Sequence, residues 1–315
     1  MNENPIIRRV GVVGTGVIGA SWAAYFLARG LEVSATDPAP GARERLADAI
    51  AQHWPTLVKA GLAEGASQDK LTFHDSLEAA LEGVQFVQES GPERIDMKRA
   101  LFTRIDAALA ENVLIASSSS GLLMSDVQTA CRYQQRVVLG HPFNPPHLIP
   151  LVEVIGGERT SPDAIRRAMD FYRTIGKRPI NPHKEIKGHI ANRLQAALWR
   201  EAFHLVSIGA ASVSDIDAAI AYGPGLRWAV MGPFANLHLS GGEGGMQHLL
   251  EHLGGPIERW WADLGTPALT PSLKQQVIDG IDAELAGRGA DQIATQRDDM
   301  ILGMLRAKAA STSIP

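Results

Sequence analysis

The sequence has little of what several classes of protein require. Its 315 residues include a single cysteine, Cys131, which excludes a disulfide framework and a thiolate metal site, and we expect no bound metal. No apolar run reaches the length that spans a bilayer, and residues 1–5 lack the apolar core of a signal peptide. We therefore expect a cytoplasmic protein that does not bind membranes. Neither sign of charge dominates, because 30 Lys and Arg stand against 34 Asp and Glu, so nucleic acid is not an expected partner.

The hydrophobic pattern of the chain changes near residue 185. Before that point short apolar runs alternate with helical patterns, which predicts a doubly wound parallel sheet of the Rossmann type. After it, long helical patterns follow one another and strand patterns are essentially absent. We therefore predict an α/β protein with a nucleotide-binding domain over residues 1–185 and an all-helical domain over residues 186–315. The predicted strands are 10–13, 32–36, 86–89, 113–116, 137–140, 152–155 and 179–181.

The most specific motif is a glycine-rich turn after the first predicted strand. Three glycines follow residues 10–13, namely Gly14, Gly16 and Gly19. In a dinucleotide-binding turn the first glycine permits the tight turn, the second lets the backbone approach a pyrophosphate, and the third lets the helix pack against the strand. The helix that begins here directs unpaired N–H groups at the phosphate. The other loop residues assigned to the nucleotide site are Thr15, Val17 and Ile18.

An acidic residue after the second predicted strand indicates which dinucleotide binds. Asp37 follows the apolar run 31–36, eighteen residues after Gly19. A carboxylate at this position accepts hydrogen bonds from the ribose hydroxyls and repels the 2′-phosphate of NADP, and Pro38 stands where an NADP site often has arginine. NAD is therefore the predicted cofactor. The alternative is a structural βαβ turn that binds no ligand.

Two polar segments lie at the ends of predicted strands, where the catalytic groups of such a sheet are expected. One is the serine run 117–120. The other begins at His141, and Glu153 lies twelve positions later between apolar residues. A buried carboxylate needs a partner and a histidine at a strand end is well placed to act as a base, so we predict that these side chains pair. The alternative is a structural histidine and a salt-bridged glutamate.

These motifs resemble those of the L-3-hydroxyacyl-CoA dehydrogenase superfamily over nearly the whole chain. The resemblance implies that His141 and Glu153 are the catalytic pair. It also implies that Ser120 and Asn192 contact the reacting oxygen. The matching features are Gly14, Gly16, Gly19, Glu93, Lys98, Ser120, His141, Asn144-Pro145, Glu153, Asn192-Arg193-Leu194 and Met231-Gly232-Pro233-Phe234.

The same resemblance extends to the cofactor and to assembly. It implies that Glu93 and Lys98 contact the nicotinamide side of NAD. It further implies a homodimer formed through the helical domain. The same helical domain would also bind substrate.

Some motifs differ from those of the acyl-CoA enzymes. Ser118-Ser119-Ser120-Gly121 stands where those enzymes commonly have Asn-Thr-Ser-Ser, and an Arg227-Trp228 pair precedes the last matching motif. The same differences mark the branch that contains L-carnitine dehydrogenase and the L-gulonate dehydrogenase known as lambda-crystallin, and further similarities favour the former. The resemblance thus implies oxidation of the 3-hydroxyl of a small L-3-hydroxy acid, with L-carnitine favoured.

The chemistry of such a substrate suggests which residues bind it. Arg227 is suited to pair with a free carboxylate, which a thioester lacks. A quaternary ammonium is held by aromatic faces, for which Trp228 and Phe143 are candidates, although aromatic residues in a helical domain are more often core or interface. The alternatives are an L-3-hydroxyacyl-CoA substrate, L-gulonate, and a non-catalytic protein that kept the fold.

Overall fold

The protein is described by a computed structural model that covers residues 7–314. The chain forms two compact units, the first of which ends at Arg193 and the second of which begins at Leu194. Within the described residues, none of the helices has the length and apolar run needed to cross a membrane. Nor do the His, Cys, Asp and Glu side chains of residues 7–314 form a cluster that could hold a metal ion.

The first unit contains one sheet of eight strands, which are β1 (Arg9–Val13), β2 (Glu32–Thr36), β3 (Leu71–Phe73), β4 (Phe86–Glu89), β5 (Leu114–Ser117), β6 (Val137–Pro142), β7 (Leu151–Gly156) and β8 (Arg178–Ile180). Their spatial order is β3-β2-β1-β4-β5-β6-β7-β8. Neighbouring strands from β3 to β6 are parallel, which confirms the predicted Rossmann-type fold class. The helices that accompany them are α1 (Val17–Ala28), α2 (Ala42–Ala60), α3 (Leu77–Leu81), α4 (Ile95–Ala108), α5 (Met124–Gln128) and α6 (Pro162–Thr174).

An apolar core lies on each face of this sheet. The core on the side of α1, α2 and α6 contains the large buried rings of Trp22, Phe26 and Tyr172. The other core, on the side of α3, α4 and α5, is built around Phe102 and Ile105. Because both faces are covered, the central strands are mostly apolar, and polar residues such as Glu89 and Ser117 lie where the strands end.

Two strands depart from the predicted all-parallel sheet. β7 runs antiparallel to β6, and β8 is parallel to β7. The connection from Pro142 to Leu151 is shorter than the dozen or so residues that a parallel crossover requires, so the chain returns in the opposite direction. The resulting register places His141 directly opposite Glu153.

The second unit is helical in residues 194–314. Two of its helices, α9 (Pro224–Val230) and α10 (Pro233–Ser240), are absent from the sequence-based prediction, because Gly and Pro interrupt the periodic pattern over residues 223–233. β3 is absent from that prediction as well, since three residues are too few for their alternation to indicate a strand. The helices are α7 (Ala191–Ser207), which begins in the first unit, α8 (Val213–Ala221), α9 (Pro224–Val230), α10 (Pro233–Ser240), α11 (Gly245–Asp263), α12 (Pro271–Leu285) and α13 (Ala290–Ala310).

Candidate active site

The centre of the site is a buried histidine–glutamate pair. His141 Nδ1 lies 2.9 Å from Glu153 Oε2, and the two residues are 3% and 0% exposed. An ionised carboxylate only accepts hydrogen bonds, so Nδ1 carries the proton and Nε2 keeps its lone pair. Nε2 lies 3.1 Å from Ser120 Oγ, which donates a hydrogen bond to that lone pair. The arrangement leaves Nε2 as the basic atom.

The second oxygen of Glu153 is bound by backbone. Oε1 accepts hydrogen bonds from the N–H groups of Ile190 and Ala191, at 2.9 and 3.1 Å, where α7 begins. Burial alone would raise the pKa of Glu153, but the bonds from His141 and from these two N–H groups hold that pKa below its ordinary value. Glu153 is therefore ionised at neutral pH and can stabilise a protonated His141.

The serine loop after β5 is fixed by Glu93. Its Oε1 accepts hydrogen bonds from Ser119 Oγ at 2.6 Å and from Gly121 N at 2.7 Å. Partial burial would raise the pKa of Glu93, but these bonds and the charge of Lys98 hold it below its ordinary value. Asn192 Nδ2 donates to the backbone oxygen of Ser120 at 3.4 Å. The structure thus brings together five of the predicted residues, namely Glu93, Ser120, His141, Glu153 and Asn192.

Lys98 lies beneath this loop rather than at its surface. It is 2% exposed, and Nζ donates to both carboxylate oxygens of Glu89, at 2.7 and 2.8 Å. Glu89 also accepts from Ser117 Oγ at 2.7 Å and from Gly91 N at 2.6 Å. The charge of Lys98 is therefore neutralised by a residue that the sequence did not single out, and its predicted contact with nicotinamide stays a prediction.

The glycine turn has the shape that a pyrophosphate needs. Gly14 has φ +87°, and a Cβ there would lie 2.8 Å from the carbonyl of Ser90. A Cβ at Gly19 would lie 1.9 Å from the carbonyl oxygen of Gly14, so neither position accepts a side chain. At Gly16, by contrast, a Cβ would meet no atom within 4 Å, which leaves the backbone open to a ligand.

The start of α1 is equally suited to an anion. Among the described residues no side chain caps this helix, and its first turn contains no acidic residue. Thr15 of the turn is buried, and the side chain of Val17 is exposed. Backbone N–H groups near Val17 and Ile18 are therefore left for a phosphate.

Asp37 links the glycine turn to the end of β2. Its Oδ2 accepts a hydrogen bond from Thr15 N at 2.7 Å, and Oδ1 accepts one from Ala39 N at 2.9 Å. Each carboxylate oxygen has a second lone pair, so the ribose hydroxyls of NAD could still be bound. The open glycine, the uncapped helix and this carboxylate together fit a bound NAD.

The residues proposed to bind substrate lie in different parts of the chain. The ring of Phe143 packs edge-on against His141, with a centroid distance of 4.9 Å. Arg227 and Trp228 lie on α9 in the second unit, and both are exposed. Within residues 194–314, no carboxylate pairs with the Arg227 guanidinium.

Two family models match the chain. One is 3-hydroxyacyl-CoA dehydrogenase, NAD binding domain, over residues 9–186, and the other is 3-hydroxyacyl-CoA dehydrogenase, C-terminal domain, over residues 188–266. Together they cover more than half of the sequence, and the first includes His141, Glu153 and the glycine turn.

Several characterised proteins are similar over nearly the whole chain. An L-carnitine dehydrogenase from Streptomyces coelicolor is 52% identical over 301 residues, which are 96% of this chain and 95% of that protein. One from Pseudomonas aeruginosa is 46% identical over 96% of this chain and 94% of its own length. Among solved structures, 5-formyl-3-hydroxy-2-methylpyridine 4-carboxylic acid 5-dehydrogenase, an NAD+-dependent dismutase, has a TM-score of 0.83 at 30% identity and covers 97% of this chain and 99% of that one.

The position of Asp37 leads to a prediction about cofactor choice. The substitution Asp37→Asn keeps one oxygen for Thr15 N but removes the charge that repels a 2′-phosphate. A hydrogen bond that involves a charged group contributes about 1.5–3 kcal/mol, so the preference for NAD over NADP should fall about tenfold to a hundredfold. The measurement is kcat/KM for each cofactor. Asp75→Asn, at an exposed aspartate outside the turn, serves as the control. Equal efficiency of the unmutated protein with NAD and NADP would show that Asp37 does not discriminate between them.

Proposed function

This chain is a member of the 3-hydroxyacyl-CoA dehydrogenase family, and from that premise we propose that it oxidises the 3-hydroxyl group of L-carnitine to 3-dehydrocarnitine with NAD. The family and the NAD cofactor predicted from the sequence are confirmed by the matches. The reaction type is supported by one geometric observation, the basic lone pair of His141 Nε2 beside Ser120 and opposite an ionised Glu153.

The residues of the site have distinct roles in this reaction. When bound, NAD supplies the acceptor for the hydride that leaves C3. His141 takes the proton of the substrate hydroxyl at Nε2, and the electron pair of that O–H bond forms the carbonyl as the hydride leaves. Glu153 stabilises the resulting imidazolium through Nδ1–H. Ser120 and Asn192 bind the oxygen and orient it toward the base.

The substrate assignment is supported by the relatives and by the exposed cation of α9. The similar enzymes at 52% and 46% identity are L-carnitine dehydrogenases, and the similar solved structure is named for a carboxylic acid substrate. Arg227 is an unpaired guanidinium within its own unit and supplies a bidentate partner for a free carboxylate. Trp228 and Phe143 supply aromatic faces for a quaternary ammonium, which cannot donate a hydrogen bond.

The helical unit also supports a homodimer as part of this proposal. Within residues 194–314 only Leu249, Leu273 and Leu302 are buried hydrophobic residues. Large aromatic and aliphatic side chains are exposed instead, a composition typical of an interface core. They include Leu194, Trp199, Leu226, Phe234, Trp260 and Trp261. A second copy of the chain is the occupant we propose for this apolar surface.

The role of His141 leads to a prediction about turnover. A positioned general base contributes about 10²–10⁴-fold, so His141→Ala should lower kcat for L-carnitine by that factor while NAD affinity stays nearly unchanged. Steady-state kinetics and NAD titration by fluorescence measure the two quantities. His183→Ala, at an exposed histidine of the same unit, is the matched control and should keep wild-type turnover. Near-normal turnover of His141→Ala would refute the assignment of the base.

The role of Arg227 leads to a prediction about substrate binding. If its guanidinium binds the carboxylate, Arg227→Met should raise the KM for L-carnitine by about tenfold to a hundredfold, which is the loss of affinity expected when a charge-assisted hydrogen bond is removed. The KM for NAD should not change. Arg259→Met removes an exposed arginine of the same unit and should leave both constants unchanged. Initial rates with L-carnitine, L-gulonate and L-3-hydroxybutyryl-CoA complete the test, since efficient use of the CoA ester without activity on the free acids would restore the acyl-CoA alternative.

The proposed dimer predicts a mass in solution of two chains. Trp199→Glu places a charge among the exposed apolar residues of the helical unit and should shift the equilibrium toward monomer, because an unpaired charge is costly in an interface. Val58→Glu, at an exposed position on α2, is the control and should leave the mass unchanged. Sedimentation equilibrium measures both. A wild-type protein that is monomeric at micromolar concentration would contradict the proposal.

A further inference from the structure

A second histidine lies beside the catalytic pair. His189 is 2% exposed, and its ring centroid is 5.1 Å from that of His141. Its Nε2 lies 3.2 Å from the backbone oxygen of Ser119. A carbonyl oxygen only accepts hydrogen bonds, so Nε2 of His189 carries the proton. The two neighbouring histidines thus have opposite tautomers, with the proton on Nδ1 in His141 and on Nε2 in His189.

His189 is kept in an unfavourable setting. Its φ of +51° lies in the left-handed region, which is uncommon for residues other than glycine, although Asn, Asp and His adopt it more often than other side chains. Its Nδ1 is buried without a hydrogen-bond partner among the described residues. Burial and the neighbouring His141 hold the pKa of His189 below its ordinary value, so the ring is neutral at pH 7. An apolar residue at this position would avoid the unpaired nitrogen, but it would lack the N–H group that binds the carbonyl of Ser119.

The segment that contains His189 contacts both parts of the catalytic apparatus. Ile190 and Ala191 donate their backbone N–H groups to Glu153. Asn192 donates to the carbonyl of Ser120, and His189 donates to the carbonyl of Ser119. Four consecutive residues therefore hold the carboxylate of the pair and the backbone of the serine loop in one arrangement.

We propose that His189 is a positioning residue whose Nε2–H fixes the carbonyl of Ser119 and thereby holds the hydroxyl of Ser120 at Nε2 of His141. The inference rests on the proposed function, because it assigns a role within that same reaction. His189 itself touches neither the reacting atoms nor the proton that moves.

Three substitutions separate this role from packing. His189→Phe keeps the ring and removes the donor. His189→Asn also suits the left-handed backbone, but its amide is too short to reach the carbonyl of Ser119. His189→Gln keeps an N–H donor at nearly the reach of Nε2.

We expect losses of kcat that do not follow the melting temperatures of the variants. The net value of one neutral hydrogen bond corresponds to about twofold to tenfold in rate, so kcat should fall by that factor in the Phe and Asn variants. KM for NAD should stay unchanged, and His189→Gln should recover most of kcat. Melting temperatures are measured beside kcat, and the order of kcat among the three variants should follow the presence of the donor and not the order of their melting temperatures. A residue needed only for packing would give an Asn variant whose kcat follows its stability.

A second measurement needs neither cofactor nor substrate. In ¹⁵N spectra of the histidine rings, Nε2 of His141 should move toward the value of a nitrogen that accepts no hydrogen bond in the Phe and Asn variants, and it should return in the Gln variant. An unchanged kcat and an unchanged His141 signal in the Phe and Asn variants would overturn the proposal, as would equal losses in all three variants. If the wild type fails to oxidise L-carnitine, the proposed function fails, and the ring signals still decide the role of His189.

Discussion

The buried carboxylate of Glu153 is the constraint on which the site depends. A fully buried ionised carboxylate is very costly unless donors satisfy it, and here one oxygen is bound by His141 and the other by two backbone N–H groups. Those donors come from β6 and from the start of α7. Glu153 on β7 therefore joins the histidine to the segment that carries Asn192, so the same bonds that stabilise the charge also assemble the site.

A second buried charge holds the loops around the nucleotide turn. Glu89, at the end of β4, binds Lys98 of α4, the hydroxyl of Ser117 and the backbone N–H of Gly91. The same stretch that follows β4 contacts the glycine turn, because the N–H of Ser90 donates to the carbonyl of Val13. Removal of one partner from such a pair leaves an uncompensated buried charge, which costs about 3–5 kcal/mol. The loops are thus fixed by buried polar contacts beneath them rather than by contacts at the surface.

The sequence was informative where the chemistry is local. The glycine turn and Asp37 lie within one βαβ unit, so spacing alone predicted them. The pairing of His141 with Glu153 was a hypothesis from burial, and the structure brings these side chains together only because β7 returns antiparallel. The roles of Glu89 and His189 could not be predicted, because they depend on contacts with residues 9 and 70 positions away that only the folded chain brings together. Lys98 was assigned to the cofactor by resemblance, whereas the structure shows the partner of its charge within the protein.

The distribution of hydrogen bonds determines where a proton can go. The carboxylates of Glu89 and Glu153 are buried and their oxygens all accept hydrogen bonds, and those bonds hold the pKa of Glu153 low, so neither is a favourable base. Oε1 of Glu93 is occupied by the serine loop, and the bonds that it accepts keep its pKa low. Among the nitrogens, Nδ1 of His141 and Nε2 of His189 already carry protons. The basic positions left are Nε2 of His141, which faces the hydroxyl of Ser120, and the buried Nδ1 of His189, whose pKa is lowered by burial and by its neighbour. A hydroxyl proton released in this site consequently has one favourable acceptor, and the surrounding carboxylates stabilise the charge that forms there without competing for the proton.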